Sequence, residues 1–138
     1  MASAVLPDAA ASTSLDGITK RGASTVYLAL LTGSVDASAT VATLPEVGTA
    51  GYARQPLAWT VPARPTPDQP VTTLNSALIT FGPFTAAMLQ DAQWAALVTS
   101  ASGTSGTVQY AWPLPQSLTA DVNESIQIPI NKIAIAQN

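Results

Sequence analysis

One short run, residues 24–32 (STVYLALLT), constrains the fold more than any other part of the chain. In an extended strand, successive side chains point to opposite faces. Val26, Leu28 and Leu30 then share one face, while Tyr27, Ala29 and Leu31 share the other. A strand that is apolar on both faces must be covered on both. Either it is central in a sandwich with something docked outside, or it lies at a subunit contact.

The rest of the chain repeats the β signal in short pieces. Residues 52–61 (YARQPLAWTV) read as a strand with Ala53, Leu57, Trp59 and Val61 on one face, and Pro56 marks it as an edge strand or a bulge. Residues 71–81 (VTTLNSALITF) read as one strand, with either Leu74 and Leu78 or Ala77, Ile79 and Phe81 turned inward. Residues 94–100 and 107–114 form a hairpin around the turn ASGTSG, with Val108, Tyr110 and Trp112 alternating. Residues 125–136 close the chain. Ile126, Ile128 and Ile130 alternate, Ile133 and Ile135 follow out of phase, and a bulge or bend near Asn131 and Lys132 absorbs the switch.

Between these strands lie two long connections. Residues 33–51 are a loop of a length that is unusual in a compact domain. Residues 62–70 carry prolines at 62, 65, 67 and 70 and read as a stiff extended loop. The PxxP spacing there is too common to name a ligand. The one helix candidate is 85–93 (TAAMLQDAQ), whose Ala, Met, Leu and Gln favour helix. Residues 1–23 show no sustained helical or strand period.

These readings give an all-β chain: a single antiparallel β-sandwich or jelly-roll-like domain over 24–138, with at most one short helix, preceded by an extended N-terminal arm at 1–23. The arm is either a loose terminus or a segment that orders on a neighbouring subunit. Val5, Leu6, Leu15 and Ile18 are its apolar anchors, and Lys20, Arg21 and Arg54 are candidate polar docking contacts. Loss of residues 1–20 is then expected to leave the β-domain folded and to weaken assembly.

Composition narrows the chemistry. The chain has no His and no Cys, so imidazole bases, thiolate nucleophiles and the common Zn and Fe–S sites are excluded. Five basic residues in a chain of net charge -3 do not make a phosphate-tracking surface, so no nucleic acid is expected. No apolar run approaches the roughly 20 residues of a membrane helix, and the N-terminus lacks the pattern of a secretory signal. A Ser–Lys pair with Lys20 or Lys132 has no supporting motif. Asp68 with Asp91, or Asp121 with Glu124, are the carboxylate pairs a glycosidase would need, and both sit where acids ordinarily solvate loops. Asp121–Glu124 also lacks the spacing of a Ca²⁺ loop. Trp59, Trp94 and Trp112 could stack on sugar, but their apolar neighbours favour core packing. No enzyme activity, cofactor, metal or small-molecule substrate is expected. Only 9% of residues are charged, against roughly 25% in ordinary domains, which suits lasting contact with other proteins.

The order YLALLT at 27–32, GYARQPLAWT at 51–60, LNSALITFGPF at 74–84 and WAALVTSASGTSGTVQYAWPL at 94–114, ending in an Ile-alternating strand, resembles a family of small bacteriophage virion proteins. These are the head-decoration (cement) or tail-fibre-like β-sandwich proteins. The resemblance covers roughly residues 26–136, and its most specific parts are Gly51-Tyr52-Ala53-Arg54-Gln55 and the Asn75-Ser76 strand. It implies a virion structural protein that cements the major capsid shell as a homo-dimer or homo-trimer. The alternatives are a tail-fibre, tail-tip or baseplate component, and a carbohydrate-binding module. The long N-terminal region and the 62–70 loop depart from the pattern and leave its place in the virion open.

Overall fold

A computed structural model describes residues 8–64 and 66–137. In chain order the elements are α1 (Asp8–Thr19), β1 (Val26–Leu31), a 3₁₀ turn (Val41–Thr43), β2 (Gln55–Leu57), β3 (Val71–Leu74), β4 (Ile79–Phe81), β5 (Ala92–Val98), β6 (Val108–Leu118), β7 (Ile126–Ile128) and β8 (Ala134–Gln137). The fold is all-β with one helix among the described residues. A four-stranded sheet has the order β2-β1-β5-β6, and two ribbons pair β3 with β8 and β4 with β7. Every pairing is antiparallel.

β1 is covered on both faces, as its sequence requires. Val26, Leu28 and Leu30 enter the main core with Leu57, Val71, Ile79, Phe81, Ala95 and Leu97. Ala29 and Leu31 enter a second, smaller cluster with Val41, Ala96 and Val98. What covers this second face is the chain's own 33–51 excursion, through Val35, Val41 and Leu44. Backbone bonds hold it there: the Thr32 N–H donates to the Pro45 carbonyl (2.8 Å) and the Val47 N–H to the Leu30 carbonyl (3.0 Å). The long loop is therefore a structural layer, and burying each such Leu contributes about 1.5–3 kcal/mol.

The two ribbons supply much of the other side of the main core. Residues 71–81 and 125–136, each read as one strand, are both broken in the middle. The breaks meet at Asn75, which has no solvent exposure. Its Nδ2 donates to the Ala77 (3.1 Å) and Pro129 (3.0 Å) carbonyls, and its Oδ1 accepts the Ile133 N–H (2.8 Å). Its backbone N–H donates to the Ile133 carbonyl and its carbonyl accepts from Asn131 N–H. Asn131 takes a left-handed φ of 63°, so the bend expected near Asn131 and Lys132 is present. Val71, Thr73, Asn75, Ile79 and Phe81 are the buried side chains of the first segment, and Ala77 and Leu78 are exposed. Within residues 52–61 the ladder strand is β2, an edge strand containing Pro56, and Trp59 adds an isolated antiparallel bridge to Asn75.

Helix position departs from the expectation. Residues 85–93 form no helix, and β5 begins at Ala92. The backbone there is committed elsewhere: the Thr85 N–H donates to the Ala50 carbonyl and the Met88 N–H to the Ala120 carbonyl. Tertiary hydrogen bonds outweigh a few tenths of a kcal/mol of propensity. The helix instead occupies 8–19, inside the stretch read as an arm without periodicity. Ala11 and Leu15 are fully buried in the main core and Ile18 packs against it, an i, i+4, i+7 stripe. Lys20, at φ 56°, turns the chain out of the helix.

Candidate functional site

The residues proposed from sequence as docking contacts are dispersed. Val5 and Leu6 lie outside the described residues. Leu15 is buried in the chain's own core, and Ile18 is half-buried beside it. Lys20 and Arg21 are half-buried where the helix ends, and Arg21 makes a two-nitrogen pair with Asp16 (2.9 and 3.1 Å).

Arg54 is at the centre of a buried polar clip. Its Nε and Nη2 donate to Glu46 Oε2 (2.9 Å) and Oε1 (2.8 Å). Nη1 donates to the Ser100 carbonyl (3.2 Å) and Oγ (3.0 Å), and Nη2 also donates to the Gly103 carbonyl (2.9 Å). All five guanidinium N–H groups are thus used within the chain. The hydrogen bond to Glu46 raises the Arg54 pKa above its usual value against the opposing effect of burial, so the cation is secure. Tyr52 completes the clip. Its hydroxyl donates to Glu46 Oε2 (2.5 Å) and accepts the Leu30 N–H (3.1 Å). Burial, then the Glu46 hydrogen bond and charge, push the Tyr52 hydroxyl pKa well above its ordinary value. Its ring stacks on Phe81 with centroids 5.9 Å apart.

The clip has no donor left for a ligand and holds no nucleophile–base pair. Its effect is positional. It fixes the Ser/Gly-rich loop between β5 and β6 against the 33–51 layer, leaving residues 101–107 exposed. Ser100 Oγ donates on to the Ser105 carbonyl (2.6 Å) and tightens that loop. Sequence placed Arg54 on a surface. Its partners are 8, 46 and 49 residues distant, and no local pattern reports them.

The other sequence candidates separate in the same way. Trp94 packs in the second cluster, whereas Trp59 and Trp112 pack against the main core, so the three indoles share no common face. The Trp59 indole N–H is buried with no partner among the described residues. Glu124 Oε1 accepts the Asp121 N–H (2.7 Å) and Asp121 Oδ1 accepts the Val122 N–H (2.8 Å), so both acids stabilise their own turn. Among the described residues no group of three or more Asp or Glu side chains could hold a metal ion. No described helix is long and apolar enough to cross a membrane.

Two surface features have no signal in the sequence. The first is an apolar groove of about 250 Å³ beside β6, lined by Trp112, Leu114, Leu118, Ile128 and Ile133, with Lys132 also lining it. β6 is the last strand of its sheet, and Pro113 and Pro115 remove two backbone donors from it. The second is a tip where the 84–91 loop meets the 120–124 turn. Phe84 and Asn123 N–H groups donate across it to the Glu124 and Phe84 carbonyls (2.9 and 2.7 Å). Leu89 is 97% exposed there and Val122 50%.

Comparison with known proteins adds one finding. The family model described as "Podophage GP4 fiber I protein gp80" matches residues 2–136. No curated protein matches the chain, and no solved structure does.

Proposed function

The chain belongs to the family of the podophage GP4 fiber I protein gp80, a family of phage structural proteins, and from that membership we propose that it is a subunit of a virion fibre. It works by protein–protein contact: it presents fixed surfaces and catalyses nothing. The observation that carries this reading is the match of a fibre-protein family over residues 2–136, which spans helix, sheet and ribbons together. The geometry is in keeping with it. The buried polar residues with the most bonds, Arg54 and Asn75, spend them on holding loops and kinks rigid. Rigid presentation lowers the entropy lost on each contact, and repetition of a subunit multiplies weak contacts into lasting attachment.

The finer position distinguishes this reading from capsid decoration, in which the major capsid protein would be the partner. Immunogold labelling of virions tests it. Gold at the tail or on projecting fibres, at a few to a few dozen copies per particle, is the expected result. Gold spread evenly over the head, at hundreds of copies, would replace the fibre reading with a cementing one.

A further inference from the structure

The acidic tip and the β6 groove match in chemistry, and both are carried by every copy of the chain. At the tip, Leu89 and Val122 are exposed apolar side chains and Asp91, Asp121 and Glu124 are exposed carboxylates. Backbone bonds, including Met88 N–H to the Ala120 carbonyl (3.0 Å), make the two loops one unit. The groove is the converse: an apolar trough with Lys132 as the charged side chain in its lining and no carboxylate there. Within one chain the tip does not fill the groove, since Leu89 is almost wholly solvent-exposed.

We propose that the tip of one copy docks into the Lys132-bearing groove of a second copy, with Leu89 and Val122 against the apolar wall and the tip carboxylates facing Lys132. Charge complementarity selects this occupant: a net-acidic tip meets a groove whose one charge is positive. The low overall charge favours it too, because little else on the surface must be desolvated or repels a second copy. A contact between two different patches either closes into a ring or continues head to tail. The second outcome is an elongated assembly, so the proposal names a partner for the fibre-subunit reading and rests on that reading for its setting.

The test uses the purified full chain and analytical ultracentrifugation at low salt. The expected result is mass rising with concentration. Lys132→Glu, and separately the double change Asp91→Lys with Asp121→Lys, should each weaken association at least tenfold. Mixing the two variants should restore it, because each then offers the charge the other lacks. Leu89→Ser, at a side chain with no part in the core, should also weaken association, and near-ultraviolet circular dichroism checks that each variant is folded. A wild-type chain that stays monomeric throughout would overturn the contact, as would association indifferent to these substitutions or variants that fail to complement on mixing. Virion labelling is independent of all these outcomes, so failure of the contact and failure of the fibre reading are told apart.

Discussion

Asn75 and Ile133, 58 residues apart, are joined in both directions. The Asn75 backbone N–H donates to the Ile133 carbonyl (3.1 Å), and the Ile133 N–H donates to Asn75 Oδ1 (2.8 Å). This pair fastens the kink between β3 and β4 to the kink between β7 and β8. It lets one buried amide satisfy backbone groups that the broken ladders leave open.

Asn75→Ala should therefore be costly. It leaves the buried Ile133 N–H without its partner, at about 1–3 kcal/mol, and removes the bonds to the Ala77 and Pro129 carbonyls, at about 0.5–1.5 kcal/mol each. Urea denaturation should show a loss of about 2–5 kcal/mol from these groups together. Asn75→Asp should not rescue it, since a carboxylate cannot donate to the Ala77 and Pro129 carbonyls. A loss below about 0.5 kcal/mol, the scale of an ordinary surface change, would show that water replaces the amide there.

Arg54→Ala should destabilise by about 3–5 kcal/mol, the cost of leaving one partner of a buried pair alone. The Arg54 and Glu46 side chains are only 5% and 21% exposed, so solvent screens little of this. Arg54→Lys should recover only part, because a single ammonium cannot reach Glu46, Ser100 and Gly103 in the fork geometry. Hydrogen exchange should speed up at residues 99–107 more than in β4 or β7, since the clip anchors that loop. Uniform acceleration would contradict its positional role.

Tyr52 predicts an alkaline loss of stability. Its pKa is raised in the folded state, so the unfolded chain loses the proton first as pH rises. The folded state then holds more protons, and stability must fall with pH above the ordinary tyrosine value of about 10. The slope for this one group is about 1.4 kcal/mol per pH unit, and below pH 9 it contributes no pH dependence. Urea midpoints at several alkaline pH values should show the decline in the wild type and a shallower one in Tyr52→Phe. Equal slopes in both would mean the hydroxyl is not held as described.

Leu15→Ala should cost about 2–5 kcal/mol, as for a buried leucine elsewhere. Deleting residues 1–20 should accordingly lower the melting temperature of the β-domain itself, in place of the intact fold expected from an arm. Thermal unfolding by circular dichroism measures both.

Gly51→Ala should also destabilise, by more than about 1 kcal/mol. Gly51 has φ 96°, and a Cβ there would lie 2.7 Å from the Pro83 carbonyl oxygen and 2.8 Å from Phe84 Cα. Backbone cannot move aside as a flexible side chain would. A neutral result in urea denaturation would show that the 82–85 segment shifts freely.

The sequence by itself determined the β class, the alternation of β1, the need to cover both its faces, the restriction of the Pro56 strand to an edge or a bulge, and a bulge or bend near Asn131. Each follows from a period of two or from the missing donor of proline, and both are local. Only the tertiary structure decided the rest. The cover of β1 is a loop whose Val35, Val41 and Leu44 have no period to announce them. The helix lies at Asp8–Thr19 and not at 85–93, because Ala11, Leu15 and Ile18 find a core to enter while the backbone of 85–88 finds partners at Ala50 and Ala120. Arg54 reads as a surface charge until Glu46, Ser100 and Gly103 converge on it. The physical reason is the same in each case: spacing along the chain dictates which way a side chain points, but burial and hydrogen bonding depend on what the fold brings opposite.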